Sequence, residues 1–114
     1  MSPNIIHALQ RVGIPAHLLG YEYLKSAISI CLEYPAAIRG MTKELYPAVA
    51  KTHKTTGSKV ERAIRHAVGL CWARCDRDTL ITVFGPGIVC REKTPANGEF
   101  ITALAEYLRM EGAA

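Results

Sequence analysis

The stretch KTTGSKVERAIRHAVGLCWAR, from Lys54 to Arg74, carries the most regular pattern in the chain. Its apolar residues follow one another at alternating intervals of three and one, a spacing that places them on one side of an α-helix. They are Val60, Ala63, Ile64, Ala67, Val68, Cys71 and Trp72. The pattern predicts a helix whose apolar side packs on the core of the protein.

The opposite side of this predicted helix is basic. It carries Lys59, Arg62, Arg65 and His66 but one acid, Glu61, so the cations cannot all be neutralised within the helix. They also crowd its first turns, where a positive charge opposes the helix dipole. A solvated helix face is the simplest interpretation of such a run, but these two features favour a polyanionic partner.

A second predicted helix and a short turn precede the basic helix, in the sequence AVAKTHKTTGSKVERAI. This order predicts a helix-turn-helix over about residues 42–75, with a recognition helix over about residues 57–75 that enters the major groove of DNA. Side chains at the mouth of the groove then bind phosphates through hydroxyl and ammonium groups. In this arrangement they are Lys51, Lys54, Thr55 and Thr56.

Charge is distributed unevenly over the 114 residues of the chain. Residues 39–77 contain nine Lys and Arg against three acids, a local net charge of +6, whereas the remainder contains five against seven, a local −2. A basic part on a neutral-to-acidic body is typical of a protein that binds a polyanion. The composition, 49% hydrophobic and 21% charged, is typical of one globular domain, which we expect to span residues 1–114.

The other segments with helical periodicity are separated by glycine and proline. The first, after a predicted N-cap at Ser2, covers about residues 3–12, and the second covers about residues 21–33. A third begins at Thr42 and is interrupted at Pro47, and the last covers about residues 98–110 with Asn97 as its cap. Together with a short helix after the basic one, these predict an all-α domain of about six helices that contains a helix-turn-helix.

Several classes of protein are disfavoured by the sequence. No apolar run approaches the roughly 18 residues of a membrane span, and the N-terminus lacks the pattern of a signal peptide, so we expect a cytoplasmic protein without a membrane partner. No nucleophile–base pair, phosphate-binding loop or carboxylate pair has a catalytic spacing, which argues against an enzyme. Cys71 and Cys75 lie one turn apart and could in principle bind a metal, but the absence of a second ligand pair favours buried thiols and no metal or cofactor.

Four segments together resemble a known family. They are GIPAHLLGYEYLKSAISI, TKELYPAVAKTHKTTGSKVERAIRHAVGLCWAR, VFG and KTPANGEF, in order from about Ile5 to Met110. They are similar to the C-terminal effector domain of the stage-zero sporulation protein A family of response regulators. The resemblance implies a six-helix bacterial domain that binds double-stranded promoter DNA, is nucleoid-associated when bound, and belongs to a two-component phosphorelay. It also implies tandem or dimeric binding and contact with the sigma subunit of RNA polymerase.

The resemblance also implies roles for individual residues. Those that match the base-contacting positions are Lys59, Glu61 and Arg62, and those that match the backbone-contacting positions are Ser58, Arg65 and His66. Their chemistry agrees, because an arginine such as Arg62 can donate two hydrogen bonds to a guanine and a carboxylate such as Glu61 can accept from a cytosine amino group. Glu61 can also serve a capping box with Ser58, although Thr55 or Thr56 can cap the helix instead.

Three features depart from the family pattern. Lys59 stands where the family usually has arginine, and lysine lacks the planar fork for bidentate contact. Gly57 stands where the family usually has alanine. Residues 1–114 contain no receiver domain with an aspartate phosphoacceptor, so the chain is either an effector domain from a longer protein or a stand-alone relative. A helical protein-interaction domain, which modulates a transcription factor without contacting DNA, is the alternative function.

Overall fold

The computed structural model describes residues 3–113, and these residues form helices and connections without a strand. Seven α-helices occur in the described chain: α1 (Pro3–Arg11), α2 (Leu19–Glu33), α3 (Tyr46–His53), α4 (Gly57–Arg74), α5 (Arg77–Phe84), α6 (Pro86–Val89) and α7 (Asn97–Ala113). The all-α prediction is confirmed. The structure has one helix more than the six predicted, and the shortest helix, α6, is a four-residue turn. The N-cap predicted at Ser2 lies outside the described residues.

The segment between α2 and α3 contains two less common helical turns. A 3₁₀-helix covers Pro35–Gly40, and a single π-helical turn covers Met41–Leu45, in which the Tyr46 N–H donates to the Met41 carbonyl. Pro47 follows as the second residue of α3 and has no N–H to donate to the carbonyl four residues earlier. A wider turn before the proline accommodates this missing bond, so the interruption predicted at Pro47 takes the form of a π-turn and a new α-helix.

The core lies between α2, α4 and α7, with α3 packed against α4. Five of the seven apolar residues predicted to face inward from α4 are buried, and the other two, Ala63 and Trp72, are partly buried against the core. At the far end of α4 the Trp72 ring lies 5.1 Å from Phe84, which lies 4.8 Å from Phe100. These contacts determine which side of α4 faces solvent.

The start of α7 differs from the prediction. Asn97 was expected to cap this helix, but it is the first helical residue and its side chain points into the protein. The Ala96 N–H is bonded instead by the Glu99 carboxylate at 3.0 Å, and Glu99 also pairs with Arg91 at 2.9 Å. Together these contacts hold the pKa of Glu99 below its usual value. Because Glu99 satisfies the helix end, the Asn97 amide is available for bonds to other helices.

Candidate nucleic-acid interface

Three residues, Lys54 to Thr56, connect α3 to α4 in a tightly bonded turn. Lys54 has the left-handed conformation, with φ 54° and ψ 49°, which ends α3 in the manner that glycine usually does. The Thr55 N–H donates to the Ala50 carbonyl at 2.9 Å. The Thr56 hydroxyl then accepts from the Lys59 N–H at 3.3 Å. Of the candidate caps, the structure therefore selects Thr56, and a three-residue turn joins α3 to α4.

The basic side of α4 faces solvent. We call Lys59, Arg62, Arg65 and His66 the exposed ridge, and all four are exposed. Ser58, Lys51, Lys54 and Thr56 are also exposed, whereas Thr55 is half-buried. The Lys59, Arg62 and His66 side chains form no hydrogen bond or ion pair with the part of the chain that the structure describes. The charges of Lys59 and Arg62 and the imidazole of His66 are therefore available to a partner.

Two open grooves flank the exposed ridge, and Arg62 lines both. One groove, of about 520 Å³, lies between α4 and the start of α3 and includes Thr42, Tyr46, Thr56, Gly57, Ser58, Glu61, Arg62 and Arg65. The other, of about 750 Å³, lies between α4 and the start of α2 and includes His17, Leu18, Leu19, Gly20, Tyr23, Thr55, Lys59, Arg62, Ala63 and His66. Arg62 is thus at the crest between the grooves, while Lys51 and Lys54 lie beyond them at the end of α3.

Glu61 lies on the flank of the ridge rather than on its crest. Its Oε1 accepts from Arg65 Nη1 at 3.2 Å, in a pair whose side chains are 32% and 66% exposed respectively. Its Oε2 is buried and has no hydrogen-bond partner among the described residues. The structure therefore pairs the Glu61 carboxylate with Arg65, and among the described residues no hydrogen bond or ion pair joins it to Lys59 or Arg62. A carboxylate with one unbonded oxygen is poorly satisfied in this position.

The same flank carries a set of hydrogen bonds that sequence patterns did not indicate. Asn97 Nδ2 donates to the Tyr46 hydroxyl at 3.0 Å and to the Glu61 carbonyl at 3.1 Å. Tyr46 is 7% exposed, and burial is the main cause that raises the pKa of its hydroxyl, partly offset by the bond from Asn97. Three helices, α3, α4 and α7, therefore meet at one polar point, which we call the polar flank (Tyr46, Glu61 and Asn97).

The opposite flank of α4 is apolar and very close to α2. A Cβ at Gly20 would overlap the Ala63 carbonyl oxygen and lie 2.8 Å from the Ala67 Cβ. We call this contact the apolar flank (Gly20, Ala63 and Ala67). It brings Leu19, which is 66% exposed, beside the ridge. Sequence reasoning treated this part of the chain only as a break between helices, and Gly20 among flanking apolar residues was the available signal of close packing.

Gly57 and the cysteines complete the description of α4. A Cβ at Gly57 would lie 3.6 Å from the Tyr46 Cβ, an ordinary contact distance, so the alanine that the family usually carries would fit here. Burial raises the pKa of the Cys71 thiol to about 12, which keeps it protonated in the core. Within residues 3–113, no three His, Cys, Asp or Glu side chains are grouped to hold a metal ion. No helix in that range is long and apolar enough to cross a membrane.

A comparison of the chain with known protein families found one match. A family model described as "Sporulation initiation factor Spo0A C terminal" matches residues 5–108, which is nearly the whole chain. The match includes all of α2 to α6 and therefore both helices of the pair, the exposed ridge and the two flanks.

Proposed function

The chain belongs to the Spo0A C-terminal family of DNA-binding, sporulation-regulating effector domains, and from this premise we propose that it binds double-stranded DNA sequence-specifically. The family is one of transcription factors and not of enzymes. The observation that carries the proposal is the exposed ridge, whose Lys59, Arg62 and His66 have no partner in the described chain. The first turns of α4 would enter the major groove, as in other helix-turn-helix proteins.

Arg62 would make the most discriminating base contact. It lies at the crest between the two grooves, so its guanidinium meets a base edge before the neighbouring side chains do. A fork of two N–H donors matches the O6 and N7 acceptors of guanine. Lys59, one turn earlier and exposed, would contact an adjacent base through a single ammonium group, which discriminates less sharply than arginine.

Glu61 would be the third base contact, and it requires an exchange of partners. In the free chain its carboxylate bonds Arg65 at 3.2 Å. When Arg65 moves to a phosphate, Glu61 is released to accept a hydrogen bond from a cytosine amino group. An ion pair one turn apart in which the arginine is exposed is weak, and the second carboxylate oxygen is already without a partner among described residues. Both facts favour the exchange.

The remaining predicted residues would bind the sugar–phosphate backbone. They are Lys51, Lys54, Thr55, Thr56, Ser58, Arg65 and His66. Apart from the half-buried Thr55 they are exposed, and they surround the turn and the first turns of α4. Contacts of this kind set the register of a protein on the duplex without carrying sequence information.

Further partners are proposed from family membership. They are the sigma subunit of RNA polymerase and a second copy of the domain on tandem sites, in a cytoplasmic protein. Contacts within the chain limit the surface of α7 that such partners would use. Tyr107 accepts from Arg11 at 2.7 Å, and Arg109 donates to the Cys31 carbonyl at 2.7 Å. These two side chains hold α7 to α1 and α2, and Glu106 and Met110 remain exposed.

The test is a titration of fluorescent duplexes at several salt concentrations. A pool of duplexes with a randomised centre is first enriched by the wild-type chain, and the best sequence and a scrambled version are then compared. The logarithm of affinity should fall with the logarithm of salt concentration by about 0.9 per phosphate neutralised. Arg62→Ala should remove the preference at one base position, and Lys54→Ala should weaken both duplexes alike.

Arg74→Ala is the matched control, because Arg74 is exposed on the same helix about 18 Å along its axis from Arg62. It should leave the affinity for both duplexes unchanged. If no duplex binds with a measurable salt dependence and Arg62→Ala has no effect, the protein-interaction alternative becomes the better explanation of the exposed ridge.

A further inference from the structure

Asn97 is the one buried polar side chain among the described residues, at 9% exposure. Both hydrogens of its amide nitrogen are used, one on the Tyr46 hydroxyl and one on the Glu61 carbonyl. These acceptors lie 51 and 36 residues away in the sequence and on different helices. A buried amide is tolerated only where its hydrogen bonds are formed, so this one constrains the position of both partners.

The bond to Glu61 reaches the backbone of α4 rather than a side chain. A hydrogen bond to a main-chain carbonyl is directional, so it resists both rotation of the helix about its axis and sliding along that axis. Packing of apolar side chains is non-directional and tolerates small rotations better. The second bond, to Tyr46, ties the same amide to the first turn of α3. Asn97 therefore couples the two helices of the pair at the level of the base-contacting turns.

Rotation of α4 matters for base contacts more than for phosphate contacts. Bidentate hydrogen bonds to a base edge require side chains placed to within about 0.5 Å. Contacts to phosphates are dominated by charge and tolerate larger displacements. A residue that fixes the rotation of α4 should therefore influence which sequence is bound, and should influence general affinity for DNA much less.

We propose that Asn97 is a positioning residue for DNA recognition: by bonding Tyr46 and the Glu61 carbonyl, it fixes the rotation of α4 at which Lys59, Glu61 and Arg62 meet base edges. This inference rests on the proposed function. It assigns to α7 a role in sequence specificity although no α7 residue is among the proposed DNA contacts.

Asn97→Asp is the most informative variant because it keeps the volume of the side chain and removes the donor to the Glu61 carbonyl, while the Tyr46 hydroxyl can still donate to the new carboxylate. A carboxylate in the first turn of α7 is also favourable to the helix dipole, so the helix itself should persist. Tyr46→Phe is a second variant that removes one acceptor and leaves the bond to Glu61. Leu108→Ala is the matched control: Leu108 is a buried residue of α7, 6% exposed, whose truncation destabilises the domain without touching the polar flank.

The readout is the ratio of affinities for the enriched duplex and its scrambled version, measured at a temperature where every variant is folded by circular dichroism. Asn97→Asp should lower this ratio about tenfold, and Tyr46→Phe about threefold, since each loosens base contacts that discriminate by at least that factor. The salt dependence on the scrambled duplex should stay the same. Leu108→Ala should leave the ratio unchanged.

The outcomes separate this inference from the proposed function. If the wild-type chain enriches no sequence, both proposals are overturned. If it enriches a sequence and Asn97→Asp and Tyr46→Phe keep the wild-type ratio, Asn97 has only a structural role and this inference alone is overturned. Should Asn97→Asp fail to fold, the ratio for Tyr46→Phe decides between the same two results.

Discussion

The two flanks of α4 are held by different kinds of contact. On the apolar flank, Gly20 allows α2 to approach until its backbone meets the Ala63 carbonyl. On the polar flank, Asn97 bonds the Glu61 carbonyl at 3.1 Å. The first contact sets the distance between helices by steric exclusion, and the second sets rotation by hydrogen-bond direction. The exposed ridge lies between the two flanks and takes part in neither contact.

This difference explains why the ridge can hold Lys59 and Arg62 without an ion-pair partner among the described residues. Positive side chains near a helix N-terminus are unfavourable to the helix dipole by a few tenths of a kcal/mol each. The buried stripe and both flanks hold α4 in place independently of those side chains. The charges can therefore be directed at a partner, and substitutions on the ridge should alter binding with little change in stability.

The largest effect is expected from Gly20→Ala, which tests the apolar flank. The added Cβ would overlap a backbone oxygen that cannot rotate away, so α2 and α4 must separate. Overpacking of this kind costs about 2 to 3 kcal/mol. The free energy of unfolding from urea titration measures it. A loss smaller than about 0.5 kcal/mol would mean that the helices separate easily and that the flank does not set their distance.

Tyr46→Phe tests the polar flank and should cost less. It leaves one hydrogen of the Asn97 amide without a partner in a buried site, which costs about 1.5 kcal/mol in the free energy of unfolding. Thermal and urea unfolding of the purified variant measure this cost. An unchanged stability would show that the Tyr46 hydroxyl contributes no net stabilisation to the flank.

The Tyr46 hydroxyl also predicts a pH dependence. Burial raises its pKa above the ordinary value of 10.0, so the unfolded chain loses this proton at lower pH than the folded one. The stabilisation that the protonated Tyr46 hydroxyl gives the folded state is therefore complete below about pH 10. It is lost as the pH rises through the higher pKa of the folded state. Wild-type stability should fall more steeply than that of Tyr46→Phe in this range.

Sequence patterns predicted one side of this comparison better than the other. The apolar stripe on α4 was predictable because seven apolar residues repeat at helical spacing. The interruption at Pro47 was predictable because proline lacks an N–H. The polar flank was not predictable, because Asn97 forms hydrogen bonds with residues 36 and 51 positions away. Nothing local distinguishes an asparagine that caps its own helix from one that bonds two others.

The position of the Glu61 side chain illustrates a second limit. Spacing along α4 places Glu61 beside the ridge, and its rotamer decides whether the carboxylate points toward the ridge or toward Tyr46 and Asn97. The structure shows the carboxylate bonded to Arg65. Residues 94–98 and Tyr46 line the same cavity as Glu61, and the sequence of α4 contains none of them. Its role toward DNA stays a prediction.

Gly69→Ala provides the contrast on the solvent side of α4. Gly69 lies two turns beyond Arg62, and a Cβ there would meet no described atom within 4 Å. Alanine should therefore stabilise the helix by about 1 kcal/mol through its higher helix propensity. The same urea titration measures the gain. If Gly20→Ala lowers the free energy of unfolding and Gly69→Ala raises it, close packing, and not glycine as such, holds the apolar flank.

The smallest effect on stability, and the sharpest on function, is expected from Glu61→Gln. It keeps the Glu61 carbonyl that Asn97 bonds, and it removes only the charge that pairs with the 66%-exposed Arg65. A helical ion pair one turn apart contributes less than about 0.5 kcal/mol when one partner is as exposed as Arg65, so unfolding should hardly change. Affinity for scrambled DNA should rise, because a charge that repels phosphates is removed, while preference at one base position falls. If stability falls greatly and the base preference is unchanged, the Glu61 carboxylate, and not the Glu61 carbonyl, is the group that holds α4 in place.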